Sequence, residues 1–110
     1  MHGVDMVATI YVTAASEEEM LRIGWALVEE RLAACINVFP VKSIYRWQGA
    51  VQQEEEVAAF VKTQEGHTAQ VIARIKELHS SEIPCIEVLP VNQGYPPYLA
   101  WVKEETTRVE

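Results

Sequence analysis

The sequence predicts an α+β fold. A four-stranded antiparallel sheet carries two helices in the order β-α-β-β-α-β, and a short helix follows at the C-terminus. Three observations predict it. Runs rich in β-branched and aromatic residues alternate with two stretches whose apolar residues recur at helical spacing. Only a turn at Gly49 separates the two middle runs, which makes them a hairpin. The whole is 110 residues long, the length of one domain spanning residues 1–110.

The first strand is Val7 to Thr13, with β-branched residues on both faces. Ser16, with Glu19 three residues later, is a capping-box signature for a helix start. Glu17, Glu18 and Glu19 suit the positive end of the helix dipole. Leu21, Trp25, Val28 and Leu32, widened by Ile23 and Leu27, predict the buried stripe of a helix running to about Leu32. Ala34 to Phe39 is a second strand, interrupted or bent at Pro40 and hence placed at a sheet edge. It continues as the first hairpin arm, Val41 to Gln48, and Val51 to Thr63 is the third strand. Gly66 to Thr68 opens a second helix whose stripe is Val71, Ile72, Ile75 and Leu78, ending near His79. Ile83 to Val91 is the fourth strand, residues 92–97 form a loop, and Tyr98 to Thr106 form the terminal helix.

This order is the split βαβ, ferredoxin-like arrangement, with strand order 4-1-3-2. Two helices cover one face and leave the other bare in a monomer. The thirteen-residue hairpin arm spans about 43 Å, whereas a compact chain of this length is roughly 34 Å across. The tip, around Trp47 to Gln53, therefore projects. A projecting hairpin and an uncovered apolar sheet face predict a homo-oligomer.

Composition narrows the function classes. The net charge of −7 argues against nucleic acid as a partner. No apolar run is long enough for a membrane span. The start, Met1-His2-Gly3-Val4-Asp5, lacks a basic region with a long apolar stretch after it, so a secretory signal is expected to be absent or already removed, and the cytoplasm is the expected compartment. Cys35 and Cys85 sit in apolar strand text and are read as buried, reduced thiols. On opposite edge strands, about three strand spacings apart, they do not bridge. No nucleophile-plus-base constellation or phosphate-binding glycine loop is present, so no enzyme is predicted.

Several stretches resemble one family, in order and over nearly the whole chain. Leu32-Ala33-Ala34-Cys35, Ser43-Ile44-Tyr45-Arg46-Trp47-Gln48-Gly49, Glu56 with Lys62-Thr63, His79 with Glu82 and Pro84, and Gly94 with Tyr98-Leu99-Ala100-Trp101 are similar to segments of CutA, the divalent-cation tolerance family. The departure is Ser81, where the family usually has Tyr; a pocket built on that ring is more open here. The resemblance implies an intertwined homotrimer similar in plan to the PII signalling proteins. It also implies a role in tolerance of copper and other divalent cations. The rival expectation is a regulatory or scaffold trimer that binds a small molecule or a protein in inter-subunit clefts.

The candidate residues follow from chemistry. His79 and Glu82, three apart, offer an imidazole and a carboxylate to copper or another divalent cation; the plainer reading of His79 is a helix-end histidine at the negative dipole end. Cys35 offers a soft thiolate, although its apolar neighbours favour an inert thiol. Met1, His2 and Met6 add soft donors near the N-terminus. Lys62, in apolar strand text, needs a carboxylate on a neighbouring strand or subunit, or lines a cleft. Tyr45 and Trp47 share a strand face, and Tyr98 and Trp101 share a helix face. All four serve either interface packing or ligand stacking.

Overall fold

The structure is a computed structural model, and residues 6–107 are described. Met1 and His2 lie outside the described residues. The order is β1 (Val7–Ala14), α1 (Glu17–Glu29), β2 (Cys35–Trp47), β3 (Ala50–Gln64), α2 (Thr68–Leu78), β4 (Ile86–Val91) and α3 (Pro96–Glu105). The strands form one antiparallel sheet, β2-β3-β1-β4, which is the expected order read from the other edge.

Residue chemistry sets each boundary. The Ser16 hydroxyl accepts the Glu19 N–H at 3.1 Å and starts α1. The helix stops at Glu29, three residues before the expected end. Arg31 takes the left-handed conformation (φ 61°), its N–H bonds to the Val28 carbonyl and the Leu32 N–H reaches back to Leu27, which is a Schellman ending built without glycine. The hairpin turn is the pair Gln48-Gly49, both at positive φ (50° and 84°), which matches the right-handed twist of its strands. β2 runs through Pro40 without a break, because an edge strand loses no ladder bond when the missing N–H faces outward. β4 begins at Ile86 rather than Ile83: Pro84 has no N–H to give, and residues 80–83 form a bend instead.

The core lies between one sheet face and helices α1 and α2. Ile10, Val12, Ala59 and Val61 from the sheet meet Met20, Ile23 and Leu27 from α1 and Val71 and Ile75 from α2. The buried stripe of α1 is therefore Met20-Ile23-Gly24-Leu27, and the expected stripe of Leu21, Trp25 and Val28 is exposed; Trp25 is 70% exposed. Both stripes have helical spacing. Gly24 decides between them, because its bare Cα lets Ile36 of β2 approach: a Cβ there would sit 2.9 Å from Ile36 Cγ2. Leu32 joins the core from beyond the helix.

The second sheet face is not bare, as expected for a monomer, but half covered. Helix α3 folds across one end of it. Val102 is fully buried, and Gln64 Nε2 donates to Thr106 Oγ1 at 2.9 Å. The rest of that face stays open. Tyr11, Phe39 and Phe60 stack there, ring centroids 5.9 and 5.1 Å from Phe60, with Phe60 partly exposed. The hairpin extends away from the body, with Ile44 70% and Val51 63% exposed. The molecule measures 46 × 27 × 21 Å, and its radius of gyration is 14.7 Å. A compact chain of this length has one of roughly 13 Å.

Candidate functional site

The structure sorts the candidate residues into two places. The first is a cleft of about 310 Å³ between the hairpin and the segment after α2. Tyr45 and Trp47 of β2, Glu54 and Glu56 of β3, and His79 and Cys85 of the connecting segment face it. Strand alternation explains the grouping. In the ladder Tyr45 pairs with Gln52, Ser43 with Glu54 and Val41 with Glu56, so all these side chains point to the α3 side of the sheet.

Two latches hold the far wall. The His79 side chain is 4% exposed. Its Nε2 lies 2.7 Å from the Thr13 carbonyl, and Nδ1 accepts the Ser81 N–H at 3.0 Å. That pairing makes the ring neutral with its proton on Nε2, donated to Thr13. The carboxylate beside it is Glu19 (3.8 Å from Nδ1), not Glu82, which is exposed and does not line the cleft. Glu19 accepts from the Ser80 N–H at 2.8 Å and the Ser80 hydroxyl at 3.0 Å. Burial pushes the Glu19 carboxyl up, but the two Ser80 hydrogen bonds, with the field of Arg22, outweigh it, and the group lies below its ordinary range. The capping box is thus half formed: Ser16 caps the helix, and Glu19 is spent on Ser80. Ser81 gives its N–H to His79, and its hydroxyl accepts the Ile83 N–H at 3.3 Å.

On the near wall Tyr45 donates its hydroxyl to Glu54 Oε1. That bond, before burial and the field of Glu56, holds the phenol proton above its usual range. Burial of its sulfur, then the field of Glu87, pushes the Cys85 thiol up as well. Cys85 is exposed and Cys35 half-buried, so the expectation of two buried thiols is corrected; both are free.

The second place is where α3 crosses the sheet. Lys62 Nζ sits 5.8 Å from the centre of the Tyr98 ring. Tyr98 and Trp101 lie 5.7 Å apart on one helix face, and Cys35 pairs with Lys62 in the ladder. Burial first, then Cys35, raises the Tyr98 hydroxyl above its usual value. Lys62 therefore meets an aromatic face within its own chain in place of the expected carboxylate. Among the described residues no group of three His, Cys, Asp or Glu could together hold a metal ion.

The sequence model of the CutA1 divalent ion tolerance protein family matches residues 8–105. The chain belongs to the CutA1 family.

Relatives agree with that membership. The divalent-cation tolerance protein CutA of Archaeoglobus fulgidus is 42% identical over 86% of this chain and 93% of its own. That of Thermus thermophilus is 43% identical over 92% and 99%. The solved structure from A. fulgidus, described as a periplasmic divalent cation tolerance protein, superposes with a TM-score of 0.91 at 40% identity, covering 93% of this chain and all of that one. The T. thermophilus structure gives 0.89 at 43%, with the same coverage. In this CutA1 chain the sequence did not place Glu54, Glu56 and Cys85 at the cleft or Glu19 behind its wall. Glu54 and Glu56 alternate across from Tyr45 in a hairpin of known register, a signal that was present. Glu19 carried none, because its partner Ser80 is 61 residues away.

Proposed function

We propose that this chain works as a homotrimer that takes part in tolerance of divalent cations, copper among them, by binding rather than by catalysis. The observation that carries the assembly is the open half of the sheet, where Tyr11, Phe39 and Phe60 form an apolar patch continuous with the projecting hairpin. Contiguous apolar surface of this kind marks a contact surface. The printed names of the relatives support the cation role, and a net charge of −7 attracts cations.

His79 is the first place proposed for the cation, on the strength of the family resemblance; Glu82, exposed and outside the cleft lining, is not carried over with it. Both His79 nitrogens are hydrogen-bonded, so a cation at Nδ1 displaces the Ser81 N–H, and its further donors come from a second subunit. Two free thiols support a reducing compartment, the cytoplasm in this reading. Among the described residues no helix is long and apolar enough to cross a membrane. Titration calorimetry with Cu(II) on the wild type and His79→Ala tests the site. The expected result is a loss of binding in the variant. Equal affinity in the two proteins moves the metal elsewhere. The cleft itself favours a second reading, a regulatory or scaffold trimer that holds a small molecule, and thermal shifts against a panel of metabolites would register it.

A further inference from the structure

We propose that the outer face of helix α1 docks a short amphipathic helix of another protein, apolar along one side and flanked by lysine or arginine. The proposal goes beyond the cation reading and does not depend on it.

The first argument is apolar surface that the fold does not use. Trp25 is 70% exposed, Leu21 45% and Val28 40%. They stand at i, i+4 and i+7, so they form one stripe about 11 Å long. The core takes Met20, Ile23, Gly24 and Leu27 from the other side of the helix. The stripe therefore turns away from the sheet. It contains no hairpin residue, and the open half around Tyr11, Phe39 and Phe60 lies across the sheet from α1, so the trimer contact proposed above leaves the stripe uncovered. An indole this exposed, in line with two aliphatic side chains, marks a contact surface. The stripe runs on into a hollow of about 340 Å³ where Val28 meets Ala33, Ala34 and Trp101. One large side chain of a partner fits there, as the anchor of such contacts does.

Charge selects the occupant. Glu17, Glu18 and Glu29 are exposed on the same face of α1. None takes part in the ion pairs among the described residues. Arg22 is the one base of the helix. Arg31, at the rim of the hollow, is tied to Glu105, its Nη1 3.1 Å from the carbonyl oxygen and 3.5 Å from Oε1. Three carboxylates against one guanidinium leave the rim acidic, and a basic helix complements it. A second copy does not, because each chain brings a charge of −7. An anionic membrane surface is repelled for the same reason. Helix on helix also suits the shape. Leu21 and Trp25 lie on one i±4 row, the ridge that seats in the groove of a crossing helix.

The test is calorimetric titration of the assembled protein, at about 0.15 M salt, with a synthetic leucine–lysine peptide of about four helical turns whose leucines recur at helical spacing. The controls are the same composition in scrambled order and the same peptide with glutamate in place of lysine. The expected result is binding of the amphipathic basic peptide alone. Trp25→Gln should weaken it by more than about tenfold, and Glu17→Gln/Glu18→Gln/Glu29→Gln should flatten its salt dependence. Circular dichroism and sedimentation should be unchanged in both variants, since the altered side chains are exposed. Equal binding of the scrambled peptide, binding of the acidic one, or unchanged affinity in Trp25→Gln overturns the proposal. Flotation with phosphatidylserine-containing vesicles that is lost in Trp25→Gln overturns it in favour of lipid. A larger assembly in sedimentation that Trp25→Gln reduces overturns it in favour of a second copy.

Discussion

Glu19 shows how much one side chain carries here. Its own N–H completes the helix cap, and its carboxylate ties the start of α1 to Ser80 beyond α2. Because the folded-state carboxyl lies below its ordinary value, it adds stability above the unfolded pKa, and that stability is lost as pH falls through the folded value. The window is therefore acidic, below about pH 4.3. Glu19→Gln should cost about 1–3 kcal/mol at pH 7 and unfold with a shallower acid-side slope than the wild type. Urea melts between pH 7 and pH 3 measure this; parallel slopes would contradict the assignment. Gly24 makes the same point by absence. Gly24→Ala gains about 1 kcal/mol of helix propensity, yet the clash with Ile36 costs about 1–3 kcal/mol. A net loss is expected, and Ile36→Ala should relieve part of it in a double-mutant cycle.

Among the elements, the hairpin is the clearest case of sequence dictating structure. Type I′ geometry needs two residues at positive φ, and Gly49 supplies one at no steric cost. Gln48 does not. Gln48→Asn should stabilise by up to about 1 kcal/mol, since asparagine tolerates the left-handed region. Gly49→Ala should destabilise by about 1–2 kcal/mol, and thermal melts decide both. The element order, the strand order and the long hairpin were legible because periodicity and one turn glycine are local signals. The face of α1 was not. Leu21-Trp25-Val28 and Met20-Ile23-Leu27 have the same spacing, and only the approach of Ile36 to Gly24, a contact between elements, selects the second. The candidate site was legible in part for the same reason. Tyr45 and Trp47 follow from strand alternation, whereas Ser80 on Glu19 and Thr13 on His79 are long-range bonds that no spacing announces.

For the whole molecule, the open sheet half and the projecting hairpin set the expected behaviour. Sedimentation equilibrium should give three times 12.4 kDa, and an ordered monomer at micromolar concentration would sink the trimer. Trp47→Ala should weaken assembly, by about 3–5 kcal/mol if a neighbour buries the ring fully, while the circular dichroism of the subunit holds. Unchanged trimer stability would remove Trp47 from the contact. Non-reducing mass mapping should find no Cys35–Cys85 bridge within a chain, in keeping with their free state on opposite margins of the sheet.

Those two margins share one feature. The outer strands, β2 and β4, each carry a proline inside the strand, Pro40 and Pro90. A strand added to either margin meets a missing donor there. Along β2 the longest run without that gap is residues 41–47, the outer half of the hairpin. Any foreign strand is therefore restricted to a short, fixed stretch, and open-ended stacking of sheets into fibrils is interrupted at both sides. A chain that displays this much apolar sheet has in these two prolines a built-in safeguard against amyloid growth.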